Sequence, residues 1–168
     1  MRFRLIGLAL TLLFITRVPA QEGNPAEPEY SSVFYLLRSG QLVDLERQSP
    51  DQFLKGSDFL LVIQGEKSTV RLSANESMKF VVRVTEDYAK AVASLQFIRF
   101  ESQNGKRQLR SKRKDFVSNK VSLAVTAEKY GRSSLLVVPS SRLLPGEYCI
   151  SRTTIMNGYC FGVDAAQN

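Results

Sequence analysis

The chain has no histidine and no tryptophan, and it carries only two cysteines, Cys149 and Cys160. Without histidine, Ser-His and Cys-His nucleophile pairs are excluded, and the usual general base near neutral pH and the commonest metal ligand are missing. Two cysteines alone cannot complete a four-ligand structural zinc site. The sequence holds no glycine-rich phosphate loop and no calcium loop of alternating carboxylates. Ser111 and Lys114 stand at Ser-x-x-Lys spacing, but inside a run of charge and without the companion motifs of enzymes that use that pair. Glu86-Asp87 is an adjacent acid pair, and neighbours on a strand point apart, so it reads as a solvated turn. The expectation is a protein that is not an enzyme and holds no cofactor and no metal. One alternative stays open: an exported hydrolase whose acid-only, carboxylate site assembles from distant segments.

Long hydrophobic runs are scarce as well. Leu5 to Ile15 is free of charge, follows Arg2 and Arg4, and leads to Val18-Pro19-Ala20. A basic start, a short apolar run and small residues describe a signal peptide over residues 1–20, cleaved before Gln21. The run is shorter than the roughly 20 residues a membrane span needs. An uncleaved signal anchor is the competing reading. No cysteine follows Ala20 directly, so a bacterial lipoprotein anchor is not indicated. The expected location is periplasmic or extracellular, with no transmembrane helix once the signal is removed. The remaining length suits one domain with a core.

The formal net charge is +7, and it is local. Lys106, Arg107, Arg110, Lys112, Arg113 and Lys114 put six cations into nine residues. Of 23 basic residues, those six and the leader's Arg2, Arg4 and Arg17 leave 14, against 16 acidic ones. Two readings of the run stand side by side. Cations keep an edge strand soluble by blocking sheet-to-sheet pairing. They also create a positive potential that attracts an anionic partner. Aromatics do not interleave the run, which argues against stacking on bases and against nucleic acid.

Residues 21–29 contain Pro25 and Pro28 and no apolar periodicity, and read as a flexible leader. From residue 30 to 168 the chain alternates and turns. Ser32–Arg38 is apolar on both faces and is expected to be covered on both sides. It returns through Ser39-Gly40 into Gln41–Arg47, and Gln48-Ser49-Pro50-Asp51 breaks the pattern. Asp58–Gln64, Thr69–Ser73, Lys79–Thr85, Ser94–Glu101, Asn119–Thr126 and Ser133–Val138 follow as strands. Glu86–Ala93 is the one helix-compatible stretch. Asn104-Gly105 is a hairpin turn that makes Lys106–Lys114 a return strand or an extended loop. Asn75-Glu76-Ser77 has the form of a glycosylation sequon, with meaning only in a eukaryotic secretory pathway. About ten short strands with almost no helix describe a single all-β domain, a sandwich or barrel.

Near the C-terminus, Leu143-Leu144-Pro145-Gly146-Glu147-Tyr148-Cys149-Ile150 turns a corner into a strand, and Tyr159-Cys160-Phe161-Gly162-Val163 follows it. Two registers are open. Pairing Cys149 with Cys160 sets Tyr148 opposite Phe161 and Ile150 opposite Tyr159, with an aromatic inner face and an outer disulfide. A tight Asn157-Gly158 turn instead pairs Ile155 with Cys160 and separates the cysteines. Export permits the bond. Unbonded, the two would act as small apolar side chains.

The pattern Leu143-x-Pro145-Gly146-x-Tyr148 resembles the tyrosine corner of immunoglobulin-like and fibronectin-like β-sandwiches. The resemblance implies an immunoglobulin-like or related sandwich, in which Pro145, Gly146 and Tyr148 are structural and the Tyr148 hydroxyl reaches back to upstream backbone. The missing tryptophan departs from that pattern, as do cysteines on neighbouring strands. Phe34-Tyr35-Leu36-Leu37, Leu45-Glu46-Arg47-Gln48, Phe80-Val81-Val82-Arg83 and Cys160-Phe161-Gly162-Val163-Asp164 together resemble uncharacterised exported bacterial proteins. That likeness implies fold and export and no activity. The function expected is a binding or adaptor module of the bacterial cell envelope. Its basic hairpin would contact an envelope protein, an anionic glycolipid or an acidic polymer.

Overall fold

The computed structural model describes residues 25–152 and 157–166. In chain order the strands are β1 (Phe34–Arg38), β2 (Gln41–Asp44), β3 (Glu46–Gln48), β4 (Asp51–Lys55), β5 (Asp58–Gln64), β6 (Arg71–Ser73) and β7 (Phe80–Arg83). Helix α1 (Tyr88–Ala93) precedes β8 (Leu95–Gln103) and β9 (Lys106–Lys112). Helix α2 (Arg113–Val117) precedes β10 (Val125–Tyr130), β11 (Ser134–Pro139), β12 (Gly146–Arg152) and β13 (Gly158–Asp164). The fold is all-β, with two antiparallel sheets. One has the order β10-β11-β7-β1-β2. The other runs β3-β13-β12-β8-β9-β5-β4, with β6 parallel beside β13.

Alternation builds two cores on the two faces of one layer. From the smaller sheet, Phe34, Leu36, Phe80, Val82, Leu135 and Val137 are buried against Leu95, Phe97, Tyr148, Ile150, Tyr159, Phe161 and Val163 of the larger. Phe161 stacks on Tyr148 at 5.8 Å between ring centroids. Every second residue of the same three strands faces the other way. Ile98, Phe100, Cys149 and Cys160 pack there against Phe59, Leu61 and Ile63 of β5. This second core exists because the larger sheet folds back on itself. β8 pairs with β12 over Leu95–Phe100 but with β9 only over Glu101–Gln103. Past that short ladder β9 continues with β5 over its whole length, and the two branches separate into layers. The Asn104-Gly105 turn starts the divergence, and both residues have positive φ (52° and 73°), as its two-residue loop requires.

Several expectations change against the structure. Gln41–Arg47 is not one strand: buried Leu45 bends the chain, so β2 lies in one sheet and β3 in the other. The break at Gln48 to Asp51 leads straight into β4. Asn119–Thr126 is turn and irregular chain up to Ala124, with Asn119 at a φ of 59°, and the strand begins at Val125. Tyr35 and Leu37 are only half-buried, so β1 is fully covered on one face alone. Glu86-Asp87 is not a plain solvated turn: Asp87 caps α1 by accepting from the Ala89 and Lys90 amides, and Glu86 pairs with Arg152. The segment read as a flexible leader is tied down over its described residues. The Glu27 carboxylate accepts from the Arg132 amide at 2.7 Å, the Ser133 amide at 3.0 Å and the Ser134 hydroxyl at 2.8 Å. The Arg132 amide first, then the Ser133 amide and the serine hydroxyls, hold its carboxyl at about 2 despite some burial.

The proposed signal peptide, residues 1–20, and residues 21–24 lie outside the described residues. Among the described residues no helix is long and apolar enough to cross a membrane.

Candidate functional site

The C-terminal corner takes the disulfide register. Cys149 stands opposite Cys160, Tyr148 opposite Phe161 and Ile150 opposite Tyr159. The cysteines are bonded. The rival register is excluded at Cys160, which stands between Cys149 on one side and Glu46 of β3 on the other and so leaves no edge for Ile155; Ile155 itself lies outside the described residues. The expected outer position of the disulfide is overturned. Cys149 and Cys160 are 3% and 0% exposed, since β5 covers the face that alternation alone leaves open. The Tyr148 hydroxyl donates to the Leu144 carbonyl at 2.7 Å, closing the corner across Pro145 and Gly146.

The six cations of the basic run separate by parity. Arg107 points inward and is 1% exposed, so it is not available to a surface partner. It forms a bidentate pair with Glu46 at 2.9 and 3.1 Å and donates to the Gly65 carbonyl at 3.1 Å. Its guanidinium also lies 4.0 Å from the buried Glu147 carboxylate. Glu147 accepts from the Ser68 amide at 2.8 Å and pairs with Arg71, which reaches on to Asp164 at 2.6 Å. Burial works against the charged form of Glu46, yet Arg107 and Ser68 hold its carboxyl below the usual range. Arg71 lies across the backbone at Gly162, where a Cβ would fall on its guanidinium, so a side chain there would push Arg71 off its carboxylates. Three carboxylates and two guanidiniums thus lock β3, β6, β9, β12 and β13 together. This is an internal ionic clamp with each charge partnered.

Lys106, Arg110 and Lys112 point outward and are exposed. The registers align them with side chains from β4 and β5. Lys55, Asp58 and Lys112 form one row across three strands, and Phe53, Leu60 and Arg110 form the next. Lys112 pairs with Asp58, whose carboxyl it holds below its ordinary value through the hydrogen bond and its charge. Phe53 is 54% exposed. Arg113 and Lys114 lie on α2, exposed, while Phe116 of that helix packs on Phe59 at 4.3 Å and seats it at the edge of the second core. Lys106, Arg110, Lys112 and Lys55 therefore share one outer face with an aromatic ring. Arg113 and Lys114 stand beyond the end of β9.

Lys55 and Phe53 were not legible as part of this face, because β4 shows no alternation. The one available signal was Lys55-Gly56-Ser57-Asp58, a two-residue turn with glycine first. The clamp carboxylates Glu46, Glu147 and Asp164 carried no spacing signal. Among the described residues no three or more His, Cys, Asp or Glu side chains gather as metal ligands. The chain matches no protein-family model, no curated protein and no solved structure. The class it defines on its own geometry is an all-β, sandwich-like domain whose larger sheet curls over a buried disulfide.

Proposed function

We propose that the protein is an exported, non-catalytic binding module of the bacterial envelope, of immunoglobulin-like or related sandwich type. Its outer β4–β5–β9 face contacts a phosphate-rich anionic surface. The observation that carries this reading is the alignment of Lys55, Lys106 and Arg110 with the exposed Phe53 on one face. Cations supply the long-range attraction to phosphate, and a ring beside them enters the headgroup boundary. The Tyr148 corner supports the immunoglobulin-like comparison, and the disulfide supports export.

The test is co-sedimentation with vesicles of phosphatidylglycerol and phosphatidylcholine. The parent is expected to bind the anionic vesicles at low salt and to lose most binding near 0.15 M, where the Debye length is about 8 Å. Lys55→Ser/Lys106→Ser/Arg110→Ser should abolish the salt-sensitive part, and Phe53→Ser should lower binding at every salt concentration. Equal binding of parent and triple variant leaves the cations with solubility alone.

A further inference from the structure

Strand β4 ends the larger sheet, and among the described residues its second edge has no ladder partner. All five of its residues are exposed, and Phe53 and Leu54, at 54% and 59%, are adjacent large apolar side chains on it. Lys55 pairs with Asp58 across Gly56 and Ser57, with Gly56 at a φ of 59°. A two-residue turn closes on a pair that exchanges both backbone hydrogen bonds. Counting back from it, the backbone groups of Lys55, Phe53 and Asp51 point into the ladder with β5. Those of Leu54 and Gln52 point out to the free edge.

The five residues Asp51-Gln52-Phe53-Leu54-Lys55 carry opposite charges at equal distances from Phe53. Laid antiparallel on itself about a two-fold axis at Phe53, the strand places Gln52 opposite Leu54 of the other copy at two symmetric positions. These are the residues whose N–H and C=O groups face outward, so both pairs close their hydrogen bonds. Phe53 meets its own copy in a non-hydrogen-bonded pair, the kind that brings side chains closest. Asp51 meets Lys55 at both ends. A two-fold interface must be self-complementary, and here backbone parity, apolar centre and end charges all meet that requirement.

We propose that β4 pairs antiparallel with β4 of a second copy of this chain, forming a two-fold dimer with one continuous sheet across it. The inference shares Phe53 and Lys55 with the anionic face proposed above but needs no anionic partner, and sedimentation without lipid reads it alone. The contact is small, since stable specific interfaces bury roughly 1,200–2,000 Å², so the dimer is reversible and concentration-dependent.

Sedimentation velocity over a concentration series tests it with four forms of the protein. The parent is expected to shift from monomer to dimer as concentration rises. Asp51→Lys sets lysine against Lys55 at both ends and should weaken association about tenfold or more. Asp51→Lys/Lys55→Asp restores opposite pairs and should restore the dimer. Leu54→Pro removes an outward N–H, leaves the β5 ladder intact, and should abolish association; it decides the matter if a charge variant fails to fold. A parent that stays monomeric, a dimer indifferent to Asp51→Lys or Leu54→Pro, or a folded charge swap that stays monomeric would each overturn the proposal.

Discussion

Arg107 is the residue on which most of the internal charge converges. Its side chain is 1% exposed, and it is bonded to Glu46 and close to Glu147. Replacing it by alanine takes the bidentate partner from Glu46 where water is scarce, while Glu147 keeps Arg71 and the Ser68 amide. Arg107→Ala should therefore cost about 3–5 kcal/mol in urea unfolding, as removal of one partner of a buried pair does. Lys106→Ala, one position away and exposed, should change stability little. Tyr148→Phe removes one hydrogen bond, to the Leu144 carbonyl, and should cost about 1 kcal/mol by the same measurement. Glu27 makes a pH prediction. Its carboxyl lies at about 2 when folded against 4.5 ordinarily, so the stabilisation is complete above 4.5 and is lost as pH falls toward 2. Glu27→Gln should flatten the fall of melting temperature between those pH values; an unchanged slope would mean the leader contact contributes nothing.

The disulfide belongs to the scale of elements, because it joins β12 to β13 inside the second core. Its sequence separation is 11, which the chain-entropy picture converts to about 3 kcal/mol. Burial against Phe59, Leu61 and Ile63 adds packing to that figure, so Cys149→Ala/Cys160→Ala should lose more in urea unfolding than loop closure alone provides. Burial also shields the sulfurs. Folded protein should resist dithiothreitol and become reducible in denaturant, measured by thiol alkylation. Rapid reduction under native conditions would return the bond to an outer face. Elements with strong apolar patterns were legible in the sequence: β1, β5, β7 and β8 stand where that pattern sets them, and the β12–β13 register is one of the two the sequence left open. β4 was not legible, because an edge strand has no buried face to write a pattern. The split of β2 from β3 was not, because Leu45 bends the chain without a glycine or proline to mark it.

At the scale of the whole molecule, what the sequence hid was the curl of the larger sheet. Alternation says that Cys149 and Ile98 face away from the first core. It says nothing about which strands come back to cover them. The same gap split the candidate site. Six consecutive-looking cations became one buried clamp residue, three outward side chains on β9 and two on a helix, while Lys55 and Phe53 joined from a distant strand. Parity within β9 was readable; the partners on either side of it were not, since they follow from sheet order.

The layer of β8, β12 and β13, buried on both faces, has a consequence for the order in which the chain can fold. Two of those three strands come from the last part of the sequence, and both cores need them. A ribosome therefore delivers the first hundred and forty or so residues before either interior can close, so the growing chain stays open until its final hairpin arrives.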